Sequence, residues 1–115
     1  MNIQIYCGKR NFDTQKAERY FKERKIPFQI LDLKKHRLGE REIRLIIASI
    51  GFEDMIDRTD KTVREHPACY YDRAELLIPA IQENPWLLRL PIVRNGNQMT
   101  TGYRPEIWKT WEQGG

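Results

Sequence analysis

Two thiols and one short basic loop are the residues of this chain with chemistry to offer. Cys7 and Cys69 stand far apart in 115 residues, and they form neither a CxxC redox pair nor a zinc-ligand spacing. His36 and His66 are isolated, with no cysteine or carboxylate cluster beside them, so no metal site is expected. The stretch YCGKRNFDTQKA, residues 6–17, is where anion or thiol chemistry would gather. Before it, Ile3 and Ile5 alternate with polar neighbours, the period of a strand. After it, Ala17, Tyr20 and Phe21 recur at helical spacing. A strand ending near Tyr6 and a helix starting near Thr14, capped by Asp13 or Thr14, leave a loop between them. Free backbone N–H groups and the positive end of the helix dipole collect there, with Lys9 and Arg10 adding charge. Such a loop accepts an anion or helps a thiol to ionise.

The elements that must hold this loop follow from punctuation and period. Pro27 stops the first helix, and residues 28–33 read as a second strand. Two strands joined through a helix imply parallel pairing with a right-handed crossover. Residues 39–50 form a helix with Ile43, Ile46, Ile47 and Ile50 as its stripe and Gly51 at its end. Residues 52–56 continue as a short helical turn, and residues 62–69 carry no clear period. Asp72 and Glu75 fit a capping box opening a helix toward Asn84-Pro85. Pro79 either kinks that helix or sits in the first turn of a shorter one. Asn95-Gly96 is a hairpin signal between residues 91–94 and 98–101. Pro105 opens a last helix with Ile107, Trp108 and Trp111 on one face, and residues 113–115 read as frayed. The order is β-α-β, a helical block at about 39–84, then β-β-α. The expected fold is α/β and thioredoxin-like, a mixed four-stranded sheet in one domain over residues 1–115.

Three segments carry a resemblance. Tyr6 with Phe12-Asp13-Thr14 and Lys16-Ala17 resembles the N-terminal loop of the arsenate reductase family, the ArsC/Spx type of thioredoxin-fold protein. Leu90-Pro91-Ile92-Val93 resembles that family's Arg-Pro-Ile-Val segment, and Gly102-Tyr103-Arg104-Pro105-Glu106 its Gly-x-x-Pro-Glu segment. The three bracket nearly the whole chain in the family's order.

The resemblance implies a reaction run on one loop cysteine, which attacks an oxidised substrate with glutathione or a glutaredoxin as electron source. Aligned without gaps through Tyr6, Lys16 and Ala17, that position falls on Asn11, and Thr14 takes the place of the second cysteine of the Spx branch. An amide makes hydrogen bonds but no covalent thiol adduct, so the family's nucleophile is expected to be missing. Leu90 stands where the family has an arginine. Arg104 resembles another in position, and Arg58 lies near a third without clean register. Pro91 matches a proline that thioredoxin folds keep cis, facing the active loop. The anion and ligand candidates are therefore Lys9, Arg10, Thr14, Arg58, Pro91 and Arg104. Cys7 is the alternative nucleophile, although its alternation with Ile3 and Ile5 points to a buried structural role. Cys69 would act as a resolving thiol only if the fold brought it near.

Composition sets the remaining bounds. A formal charge of +4 is mildly basic, but Lys and Arg interleave with Glu, as in Lys22-Glu23-Arg24, and a dedicated nucleic-acid surface is not expected. No apolar run has the length of a membrane span and no secretory pattern opens the chain, so a cytoplasmic protein is expected. The expected function is recognition at the former active-site face, of a protein partner or of a small anion or thiol ligand, with no resident cofactor. The alternative is a thiol reductase working through Cys7, with glutathione as co-substrate.

Overall fold

A parallel strand pair needs a crossover, and the first helix supplies it. In a computed structural model that describes residues 1–113, β1 (Ile3–Cys7) leads through α1 (Phe12–Glu23) to β2 (Phe28–Asp32). β1 and β2 run parallel, with Cys7 opposite Asp32 at their carboxyl ends. The hairpin β3 (Ile92–Asn95) and β4 (Gln98–Thr101) joins the other side of β1 antiparallel, giving the order β2-β1-β3-β4. This is the expected mixed four-stranded sheet. Between β2 and β3 lie α2 (Glu40–Ser49), α3 (Phe52–Met55), α4 (Lys61–Arg64) and α5 (Ala74–Glu83). Two 3-10 turns, Pro67–Tyr70 and Pro85–Leu87, complete this block, and α6 (Pro105–Gln113) closes the chain.

Each face of the sheet has its own core. On one, α1 and α6 cover Ile3, Ile5 and Val93 with Ala17, Tyr20, Phe21, Trp108 and Trp111. On the other, the helical block covers Tyr6, Ile92 and Met99 with aliphatic side chains such as Ile43, Ile46, Leu77 and Ile81. The alternation of β1 sends Ile3 and Ile5 to the first core and Tyr6 to the second.

Several local expectations are corrected. Asn11, not Asp13 or Thr14, caps α1: its side-chain oxygen accepts from the Thr14 amide at 2.7 Å. The helix ends through Lys25 in left-handed geometry, with the Ile26 amide donating to Phe21 O at 2.9 Å. The hairpin turn is Gly96-Asn97, because Asn95 still pairs with Gln98; Gly96, at φ 62°, takes the left-handed first position. No capping box forms at Asp72 and Glu75. Arg73 occupies the cap position, and Pro79 lies inside α5 on its exposed side. Ile107 is 38% exposed, so Trp108 and Trp111 alone carry the buried face of α6. Gln113 ends that helix, and the remainder of the frayed segment lies outside the described residues.

Candidate functional site

Parallel strands open their carboxyl ends at the same sheet edge, and ligands of open α/β sheets gather there. The chain leaves β1 through residues 8–11 and β2 through residues 33–34, and the helical block closes against both. The result is a cleft of about 370 Å³. The sheet-end loops line it with Gly8, Lys9, Arg10, Asn11, Leu33, Lys34 and Leu90, and the block adds Asp57, Asp60, Pro85, Trp86 and Leu88.

Asn11 fixes the shape of the loop. Its Oδ1 caps α1, and its Nδ2 donates to the Leu90 carbonyl at 3.1 Å, immediately before the cis Leu90-Pro91 bond. One amide therefore ties the first loop to the start of β3, using a donor and an acceptor at once. Gly8 allows the same approach. A Cβ there would stand 3.0 Å from Leu90 Cδ1, so a larger residue would push loop and leucine apart. Gln15 lies beside Arg10, and with its amide turned so that the oxygen faces the guanidinium it accepts from Arg10 Nε at 2.9 Å.

The cleft carries both signs of charge. Lys9, Arg10 and Lys34 face it together with Asp57 and Asp60, and among the described residues none of these five joins an ion pair. The two aspartates make local hydrogen bonds: Asp57 accepts from the Thr59 hydroxyl at 2.6 Å, and Asp60 caps α4 through the Thr62 amide at 2.8 Å. Trp86, 45% exposed, presents a large apolar surface to the cleft.

The sequence-predicted residues divide. Lys9, Arg10 and Asn11 line the cleft, and Leu90, beside buried Pro91, lines it too. Thr14 does not line it; its hydroxyl is buried in the first turn of α1 without a hydrogen-bond partner. Arg58 points elsewhere, donating to Cys69 O at 2.9 Å and Glu53 O at 3.2 Å, and so braces α3 against the first 3-10 turn. Arg104 donates to Thr101 O at 3.2 Å and lies near Glu106, also off the cleft. The arginines expected around an oxyanion are thus not gathered.

Neither thiol is among the residues that line the cleft. Cys7 is half-buried and off the cleft lining, and burial, followed by the Asp32 and Glu18 carboxylates, pushes its pKa above the ordinary value against Lys34. Cys69 is buried, and its thiol donates to Val63 O at 2.7 Å. It belongs to the block-side core, whereas the alternation of β1 sends Cys7 to the opposite face. Among the described residues no histidine, cysteine and carboxylate groups cluster as metal ligands. Among the described residues no helix is long and apolar enough to cross a membrane.

Sequence reasoning missed Lys34, Asp57, Asp60 and Trp86. One signal was available for Lys34: parallel pairing of β1 and β2 puts their following loops at one edge, so residue 34 had to neighbour the first loop. The block residues gave no such signal.

Comparison with known proteins bears on this arrangement. The sequence pattern of the ArsC family matches residues 6–111. Among solved structures, an arsenate reductase from Vibrio cholerae is 19% identical over 93% of this chain and 94% of its own, with a TM-score of 0.77. An arsenate reductase-related protein from Brucella melitensis is 21% identical over 98% of this chain and 96% of its own, with a TM-score of 0.68. An ArsC family-related protein from Bacteroides fragilis is 17% identical over 96% and 98%, with a TM-score of 0.78. At these identities the structural likeness speaks to the fold. No curated protein matches the chain significantly.

Proposed function

The chain belongs to the ArsC family, and from that premise we propose that it acts by binding at the cleft instead of by thiol reduction. The observation that carries this reading is the double engagement of Asn11, the position the alignment gives to the family's cysteine. Its side chain caps α1 and holds Leu90 O, so the group at the head of the helix is a structural brace with no redox chemistry. The cleft keeps what recognition needs: three cations for an anionic group, Trp86 and Leu90 for an apolar portion, and a loop already braced before any ligand arrives. The ligand is a small anionic or thiol-bearing molecule, or the equivalent side chains of a protein partner, taken up in the cytoplasm without covalent attachment.

The rival reading, a reductase working through Cys7, meets two obstacles. Cys7 is off the cleft, and its surroundings favour the protonated thiol over the thiolate a nucleophile needs. The test joins turnover to binding. With arsenate, glutathione and glutaredoxin the protein should give no reduction above background. Glutathione titrated alone should change Trp86 fluorescence to saturation, and a Trp86→Phe variant should lose that signal. Arsenate reduction abolished by Cys7→Ser would overturn the proposal in favour of the rival.

A further inference from the structure

A second concavity lies away from the cleft and shares no residue with it. Between α1 and the segment leading into α6 runs a groove of about 510 Å³. On α1, Lys16, Arg19, Tyr20 and Glu23 recur at helical spacing and form one wall; Tyr103, Pro105 and Lys109 form the other, with Arg24 at one end. Lys16, Arg19 and Lys109 are exposed, and among the described residues none of them makes an ion pair.

The chain itself seats a carboxylate at the Arg24 end. Glu112 accepts from the Tyr20 hydroxyl at 2.7 Å and lies 3.5 Å from Arg24 Nε, while the Arg24 guanidinium stacks 3.7 Å from the Tyr20 ring centroid. Arg24 is thereby held flat, its charge directed at an acidic group. The rest of the groove repeats the ingredients, and its one acid, Glu23, pairs with none of these cations among the described residues. Lys16 stands over the Tyr103 ring at 5.8 Å, and that ring is fixed edge-on against buried Trp108 at 5.6 Å.

We propose that this groove is a docking site for an acidic peptide segment of another protein, whose carboxylates continue along Lys16, Arg19 and Lys109 the pairing that Glu112 begins. Charge complementarity selects the occupant. Four cations face the groove against Glu23 and Glu112, an excess that favours an acidic ligand. Two features favour a peptide over a nucleic acid. Glu23 in the wall repels an unbroken phosphate backbone but tolerates a peptide that places a neutral residue opposite it. The Lys16 ammonium covers a face of the groove's one substantially exposed ring, where a base would stack.

The test uses fluorescein-labelled hexaglutamate and an oligothymidylate of equal charge, followed by fluorescence anisotropy at low ionic strength. Hexaglutamate should bind, and added salt should weaken it. A Lys16→Glu, Arg19→Glu, Lys109→Glu variant, altered only on exposed positions, should bind it about tenfold or more weakly, as expected for reversal of several rim charges. An Arg37→Glu, Arg41→Glu, Lys61→Glu variant, with the same change of charge at exposed positions outside both the cleft and the groove, should stay within about twofold of wild type. Absence of hexaglutamate binding, equal losses in the two variants, or tighter binding of the oligothymidylate would each overturn the proposal.

Discussion

The two faces of the sheet each bury a tyrosine whose hydroxyl donates to a carboxylate at 2.7 Å, and the two pairs are built into different surroundings. On the α1/α6 face, Tyr20 reaches Glu112 and so ties the middle of α1 to the end of α6. Around it Phe21 and Trp108 pack with ring centroids 5.1–5.2 Å apart. On the block face, Tyr6 reaches Glu42, which also accepts from the Gly39 amide at 2.9 Å and meets His36 Nε2 at 3.1 Å. There one carboxylate gathers a strand, the connector after β2 and the first turn of α2. A few large rings on two regular helices hold the first face. The second is held by many aliphatic side chains on short pieces, which need polar ties to fix where each begins. The cleft opens on this second side, where its walls come from different pieces of chain.

The sharpest way to break this contrast is at Trp108. The ring is fully buried, touches Tyr20 and Phe21, and donates its Nε1–H to Thr100 Oγ1 at 2.9 Å. Trp108→Ala should cost about 3–5 kcal/mol, the range for aromatic truncation in a close-packed core. Urea unfolding followed by far-UV circular dichroism measures it. A loss under about 1.5 kcal/mol, the scale of a tolerated core swap, would mean that the rings do not hold this face together.

The block face is broken at Glu42. Burial alone would raise this carboxyl, but hydrogen bonds from the Gly39 amide, Tyr6 and His36 outweigh it and hold the pKa below the ordinary value. Glu42→Ala leaves the buried Tyr6 hydroxyl without its acceptor and should cost about 1–3 kcal/mol at neutral pH. The sign with pH follows from the depressed pKa. The contribution is present above the unfolded-state value and is lost as pH falls through the folded one. Wild type and variant should therefore converge in acid. A gap that persists undiminished at low pH would mean that packing, and not the carboxylate, makes the difference.

This contrast also explains what could be read in advance. β1, α1, β2, α2, the hairpin and α6 announce themselves because each repeats its period for several residues. α3 and α4, four residues each, bury only Met55 and Val63, and one buried side chain has no period to detect. Residues 62–69 were opaque for that reason. Asn11 could be aligned with the family's cysteine from the resemblance alone, but it could not be read as the cap of α1, since Asp13 and Thr14 are also favoured capping types two and three residues on. In the cleft, residues 9–11 come from one loop and could be grouped from sequence. Asp57 and Asp60 reach it from one turn and Trp86 from another, and only tertiary packing brings the two to that edge. Arg58 shows the converse, a candidate whose two carbonyl partners, Glu53 and Cys69, turn it away.

The smallest effect sharpens the comparison most finely, because it sets one tyrosine against the other. Burial and the Glu112 carboxylate push Tyr20 up to about 12, and burial and Glu42 push Tyr6 up to about 12. A phenol whose folded pKa is raised gives stability that is complete below its unfolded value of about 10. That stability is lost as pH rises through the folded value. Tyr20→Phe removes one hydrogen bond to a carboxylate that remains 30% exposed and can rehydrate, so its cost at neutral pH should be only about 1 kcal/mol. The gap between wild type and Tyr20→Phe, measured as urea midpoints from pH 8 to 12, should stay level to about pH 10 and then narrow. Tyr6 is untouched by the substitution, so the variant should keep an alkaline loss of its own, and adding Tyr6→Phe should reduce it. A gap that stays constant to pH 12 would mean that Glu112 does not hold the Tyr20 proton, and the two faces would then differ in electrostatics as well as in packing.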